Sequence, residues 1–357
     1  MFNRKRLAAA RKRRKMTAKA LAEKSGLSPV TITRLEGGQN EPDQGSIDRL
    51  AAALGYPAEF FMLSEELPEL STEMVSFRSL SNMSARERDA ALSAGEIGVE
   101  MMDWAERVFS LPQPAFPDLR SMAEYSPEVA AEALRQSWGL GDRPIGAVLK
   151  LMESRGVRIL GLSEETANVD AFSFWRGDTP YMFLNSFKSA ERNLYDACHE
   201  MGHLILHRHG ARNGARAAEN EANAFASAFL MPRTDVLAHA PRFIDTRVII
   251  RLKRRWKVSA MALAYRFRSL EILSEWQYRS ICIELGQKGY RTAEPSGIER
   301  ETSTVWKQIL ADMWAKRQGK NEIANALNLP LDEVEALLRG ILPIEERVVG
   351  QALRVIK

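Results

Sequence analysis

The stretch CHEMGHLILHRH, residues 198–209, decides how this chain reads. Four of the chain's five histidines fall within it, a clustering that core packing does not explain. His199 and His203 stand four apart, and on a helix such positions share a face, so two imidazoles can be presented to one ion. Glu200 leans toward the same side, where a carboxylate can hold the water that a metal polarises. Zinc is the cofactor expected of such a set, and it usually takes a third protein ligand and an open water position. The following stretch, ENEANAFASAFLMP, offers Glu219 and Glu221. Both lie near the edge of the apolar stripe Ala222, Phe225, Ala226 and Phe229, so helical phase leaves either open. Glu219 shares a face with Asn223, four residues on, which favours Glu219 as ligand and Asn223 as the group orienting a histidine. Glu221 is the alternative third ligand. His207 and His209 are not needed by this geometry.

Outward from the metal helix, expected over about Ser189–His209, the pattern changes. VRIL (157–160), DAFSFW (170–175) and YMFLN (181–185) are β-branched or aromatic runs, and a Gly177-Asp178-Thr179-Pro180 turn separates the last two. They predict a small sheet, with the edge of 181–185 open to pair with an extended substrate. A helix is expected over about Arg216–Leu230, ended by Met231-Pro232. Upstream, the Ser84…Glu87 capping box opens a helix toward Leu111, and three prolines in LPQPAFPDL close it. Further helices are expected from Ser126-Pro127 to Gly139 and from Pro144 to Ser154, and most of 244–357 reads as helical. The fold class is therefore mainly α with a small β-sheet (α+β). The expected units are 1–64, a linker at 65–83, a helical connector at 84–140, the metal domain at 141–270 and a helical region at 271–357. The linker has no clear period. Its Glu and Ser content suits an exposed segment that a protease cleft accepts, which makes it a candidate for self-cleavage.

The strand YMFLN, then KSAERNLYDACHEMGHLILH, then ENEANAFASAFLMP resembles the ImmA/IrrE family of zinc metallopeptidases, over about residues 140–270. The resemblance implies a zincin-like domain with His199, His203 and Glu219 as ligands and Glu200 as catalytic base. It also implies that the substrate is a regulatory protein such as a helix-turn-helix repressor. Lys188, Ser189 and Arg192 match the family pattern too, although capping and helix-surface pairing is the simpler role for them.

The N-terminal end carries a second signal. In MTAKALAEKSGLSPVTITRLEGG (16–38), Thr17 caps one helix, Gly26 permits a tight turn, and Ser28 caps a second helix with Ile32 and Leu35 inward. This is similar to the Cro/CI-type (XRE) helix-turn-helix, up to about Met62, in an expected five-helix domain. The resemblance implies that Pro29, Val30 and Arg34 face base edges while Ser28 and Thr31 approach phosphates. Arg34 is the best base reader, since a guanidinium pairs with guanine. Lys5, Arg11 and Arg14 are expected to supply phosphate attraction. Ala18 departs from the family, where a glutamine often follows the capping threonine.

Charge supports a polyanion at this end. Residues 1–64 hold twelve Lys/Arg and six Asp/Glu, a balance of +6, and the chain's net +4 leaves −2 for the rest. A double-stranded DNA operator is the expected partner, read by a homodimer. Cys198 and Cys282 form no disulfide framework, and no apolar run approaches the ~20 residues of a membrane helix. A cytoplasmic regulator with no membrane partner is expected. The alternative readings are a non-proteolytic regulator and an antitoxin-like protein that binds a toxin and represses its own operon. Residues 320–340 also have a helix-turn-helix shape, but Asp332, Glu333 and Glu335 stand where a DNA-reading helix would be. They read as packing or partner binding.

Overall fold

The N-terminal residues form α1 (Arg4–Arg13), α2 (Ala18–Ser25), α3 (Pro29–Glu36) and α4 (Gln44–Leu54), followed by a 3₁₀ turn at Ala58–Met62. Each of the four helices has a side-chain cap of the kind its sequence announces: Asn3, Thr17, Ser28 and Asp43 accept from backbone amides of the first turn. Gly26 closes α2 in the left-handed region at φ 68°. The fifth helical element is a short 3₁₀ turn after Pro57, and its Phe60 and Phe61 bury into the small core. The computed structural model describes residues 2–71, 75–77, 84–118, 125–162, 171–185, 187–208, 214–290 and 293–343.

The rest of the chain is built on one sheet. β1 (Ser76–Phe77) precedes α5 (Ala85–Val108), α6 (Pro127–Ser137) and α7 (Val148–Ser154). Then come β2 (Arg158–Leu162), β3 (Ala171–Arg176) and β4 (Thr179–Asn185). The order is β1-β3-β4-β2, with β3 antiparallel to both β1 and β4 and β2 parallel to β4. Alternation along β3 divides its side chains between two faces. Phe172 stacks on Phe183 at 4.6 Å, beside Gly95 of α5, while Ser173 and Trp175 turn to the opposite side. There lies α8 (Ala190–Leu206), the helix carrying CHEMGHLIL, with α9 (Ala215–Leu230) packed against it. The close approach of these two helices needs Gly202, where a Cβ would sit 3.1 Å from Ala222 Cα.

Helical elements complete the molecule: α10 (Arg233–His239), α11 (Thr246–Trp256), α12 (Ala260–Ser269), α13 (Glu275–Gln287), α14 (Thr304–Ala315), α15 (Lys320–Ala326) and α16 (Leu331–Leu338). The last of them, α16, bridges the N-terminal segment and the sheet. A Cβ at Gly161 of β2 would lie 2.3 Å from Arg339 O, so the end of α16 lies against the sheet there. On α16's other side Glu333, 2% exposed, accepts from Arg13 Nε (2.8 Å) and Tyr56 Oη (3.0 Å) and pairs with Arg14 (3.1 Å). Asp332 and Glu333 thus serve intramolecular packing, while Glu335 is exposed. Among the described residues no helix is long and apolar enough to cross a membrane.

Three expectations give way. Residues 65–83 are not an exposed tether where they are described: Leu67, Leu70 and Val75 are buried, and 76–77 add a fourth strand to the sheet. The apolar residues are sparse, so no period shows, yet each is buried, Leu70 against Gly95 of α5. Residues 72–74 and 78–83 lie outside the described set. β4 offers no edge to a substrate, because β3 and β2 flank it. Finally, α7 begins at Val148, four residues after Pro144, since Ala147 is extended.

Candidate metal centre and nucleic-acid interface

α8 starts where Ser189 Oγ accepts from Arg192 N at 3.3 Å, and Lys188 pairs with Asp196 at 3.4 Å. These residues of the family pattern therefore cap and brace the helix. One helical turn apart, His199 and His203 point to a common place, with their Nε2 atoms 3.1 Å apart. Glu219 of α9 closes the set, its two carboxylate oxygens each 3.3 Å from one Nε2. These are the three residues whose donor atoms converge, within 4.8 Å of one another. Glu221 lies elsewhere, accepting from His207 Nε2 at 2.8 Å.

The groups behind these three candidate ligands define which nitrogen carries a proton. Asn223 Nδ2 donates to Glu219 O at 2.8 Å, so its Oδ1 faces His199 Nδ1 at 3.2 Å and accepts from it. That leaves the His199 Nε2 lone pair toward the centre. On the other side Glu221 takes the Nε2–H of His207. The bare Nδ1 of His207 then accepts from His203 Nδ1 at 3.0 Å, and the His203 Nε2 lone pair also faces inward. Two imidazole lone pairs and a carboxylate aimed at one point suit a divalent transition metal, zinc in particular.

Electrostatics agree with this arrangement. Burial lowers the His203 pKa from 6.5 to about 4, which keeps the ring neutral and ready to ligate. Glu219 is driven the other way: although burial raises it, the two imidazoles beside its carboxylate bring it down to about 2. Glu200, 1% exposed, accepts from Ser173 Oγ at 2.7 Å, and the same hydroxyl lies 3.3 Å from the Glu200 carbonyl oxygen. Cys198 is fully buried and its thiol is pushed up by burial, so it is a packing residue.

Sequence reasoning missed Ser173, and it left His207 between a supporting place behind the site and the surface; the structure gives the former. His207 lies one turn beyond His203, so its spacing carried a signal. Ser173 carried none: an unremarkable serine in a strand meets Glu200 only because α8 crosses that face of the sheet.

At the N-terminal end α3 presents Pro29, Val30 and Arg34 to solvent while Ile32 and Leu35 bury. Val30 is 56% exposed, and an apolar side chain held out on a polar helix suits contact with a base methyl. Ser28 accepts from Thr31 N at 3.0 Å, and the two hydroxyls are 2.8 Å apart. The three expected phosphate-attracting cations are placed differently from that expectation. Arg11 forks onto Glu36 (2.6 and 2.8 Å) and Met16 O (2.8 Å), which braces α1 against α3. Arg14 bonds Asp332 (2.7 and 3.2 Å) and Leu54 O (2.9 Å), and Lys5 pairs with Glu66 at 2.8 Å. Planar guanidinium groups find carboxylates within the chain, and a charge count along the sequence cannot see those partners.

Comparison with known proteins gives two matches in this order along the chain. Residues 7–61 match the Helix-turn-helix family, and residues 152–268 match the IrrE N-terminal-like domain. No curated protein matches the chain. The first match implies DNA binding, and the second is a metallopeptidase-type domain whose family is typically metal-dependent. Together with the capped α2–α3 pair and the His-His-Glu cluster, they identify the chain as an XRE-type helix-turn-helix segment fused to an IrrE/ImmA-like domain.

Proposed function

We propose that this protein is a DNA-binding regulator whose IrrE/ImmA-like domain is a zinc-dependent endopeptidase acting on a regulatory protein such as a helix-turn-helix repressor. The observation that carries this reading is the convergence of His199, His203 and Glu219, next to Glu200 held by Ser173. The residues that would hold the metal are His199 and His203 through Nε2 and Glu219 through its carboxylate, and a zinc ion held there would supply Lewis-acid polarisation of a peptide carbonyl and a bound water of pKa ~7. Glu200 accepts the proton of the attacking water at its carboxylate and passes it to the leaving amine. Ser173 keeps that carboxylate turned by donating to Oε2, and Asn223 and the His207–Glu221 pair keep the imidazoles turned. The DNA-reading surface is α3, with Arg34 for base recognition and Ser28 and Thr31 at phosphates.

The test is to incubate the zinc-loaded protein with helix-turn-helix proteins encoded by neighbouring genes and to map fragments by mass spectrometry. A cut that is present with the parent and absent with Glu200→Gln, which retains zinc, supports the reading. Cleavage by Glu200→Gln at the parent rate removes Glu200 as the base.

A further inference from the structure

The outer edge of β3 lies beside Glu200. Ser173 bonds Glu200 and Trp175 Nε1 donates to Leu204 O at 3.0 Å, so β3 runs along the metal-binding turns of α8. One side of β3 is taken by β4. The other side carries β1, in the register Ser76↔Ser173 and Phe77↔Phe172. A two-residue piece of the chain itself is thus paired, backbone to backbone, opposite the residue that holds the proposed base. The remainder of that edge, from Phe174 on, has no strand opposite it among the described residues.

We infer that this edge is where an extended peptide docks by strand addition, and that residues 76–77 occupy it in the resting chain, so that an incoming peptide must displace them. The inference rests on the peptidase reading for its purpose and on the register of β1 for its geometry. An extended backbone recognised by an edge strand gains main-chain hydrogen bonds that do not depend on its sequence. In an antiparallel ladder only one of two adjacent pairs exchanges both bonds, so a two-residue strand is a weak occupant that a longer peptide can replace.

The occupant is tied at its upstream end. Leu70 and Val75 are buried, and Leu70 packs at Gly95 of α5. Before them α1 grips the chain: Asn3 Nδ2 donates to Leu63 O at 2.9 Å, Arg6 Nε to Glu65 O at 3.0 Å, and Lys5 pairs with Glu66 at 2.8 Å. Described residues on either side of 72–74 are thus held, 63–66 by the N-terminal end of α1 and 70 and 75 by the core, and 76–77 follow at the edge beside Glu200.

The experiment uses the full zinc-loaded chain carrying Glu200→Gln, so that nothing turns over. It is compared with the same chain carrying Ser76→Pro and Phe77→Pro, which remove the strand's amide donors. The probe is a fluorescein-labelled peptide of residues 70–80, read by anisotropy. The expected result is binding at least tenfold tighter to the proline variant than to the parent. Equal binding, or none by either chain, overturns the inference. Hydrogen exchange guards against misfolding: of Phe172 and Ser173, the one whose amide points to β1 should quicken in the proline variant, while the other, which points to β4, and the amides of α9 keep their parent rates. Unchanged exchange at both strand positions also overturns it. A Ser76→Gly, Phe77→Gly chain, which keeps the donors and loosens the backbone, should fall between the other two in peptide affinity. With Glu200 restored, the proline variant should cleave fluorescein-labelled casein at least fivefold faster than the parent. Tighter peptide binding without any Glu200-dependent cut in casein or in the helix-turn-helix proteins encoded by neighbouring genes upholds the occupied edge and removes the peptidase reading instead.

Discussion

Replacing Glu219 and Glu221 separately by alanine distinguishes a ligand from a group standing behind one. Glu219 sets its two oxygens 3.3 Å from the Nε2 atoms of His199 and His203, so Glu219→Ala deletes one of three protein donors. Apparent zinc-site free energies of about 10–16 kcal/mol, shared over four ligands, put one donor at about 2.5–4 kcal/mol, or roughly 10²–10³-fold in affinity. Glu221 touches His207 at 2.8 Å, and His207 in turn touches His203 at 3.0 Å. Glu221→Ala frees the proton positions of that chain without removing a donor. Groups of this kind are typically worth about 10–100-fold, or about 1.4–2.7 kcal/mol. The assay is titration of the metal-stripped chain with zinc against a chelator of known affinity. A double-mutant cycle sharpens it: in a His207→Ala background Glu221→Ala should cost little more, while Glu219→Ala should cost its full amount. A larger loss for Glu221→Ala than for Glu219→Ala, or full additivity of His207→Ala with Glu221→Ala, refutes the assignment.

Three further outcomes are expected. Arg34→Ala should relax sequence choice at one base pair of the operator, costing about 1–3 kcal/mol in a gel-shift competition, and an unchanged preference would displace α3 as the reading helix. Glu333→Ala leaves Arg13 and Tyr56 without their buried acceptor and should lower the opening free energy of α16, read by native-state hydrogen exchange, by about 3–5 kcal/mol; a change under about 0.5 kcal/mol would remove the clamp. In the metal-stripped chain His203, with its pKa lowered to about 4, refuses a proton that the unfolded chain takes up below 6.5. Stability should therefore fall as pH drops between those values, by at most about 3 kcal/mol, and His203→Gln should flatten that slope in urea unfolding at several pH values.

Much of the site was legible without a structure because it depends on local rules. Helical spacing alone places His199 and His203 on one face, and both stay together in α8 whatever α8 packs against. Capping chemistry likewise announces α2, α3 and α5, since Thr17, Ser28 and Ser84 satisfy amides within their own first turns. The β-branched and aromatic runs announce β2, β3 and β4 for the same reason: such side chains favour extended backbone, and with both faces buried the runs are almost continuously apolar.

The choice between Glu219 and Glu221 was of another kind. Both lie near the edge of α9's apolar stripe, and only the packing of α9 on α8, through the gap at Gly202, turns one glutamate to the histidines and the other to His207. Charge behaved in the same way. Lys5, Arg11 and Arg14 count as free cations along the sequence, yet in space Glu66, Glu36 and Asp332 claim them, and the last of these is 318 residues from its partner. The short strand at 76–77 has no periodicity to declare it, because two residues carry no pattern and its place is set by the edge of β3 that it meets. Sequence determines the elements whose reasons are local. The pairing of distant carboxylates, cations and strand edges is decided by tertiary packing, which brings together groups that no spacing rule relates.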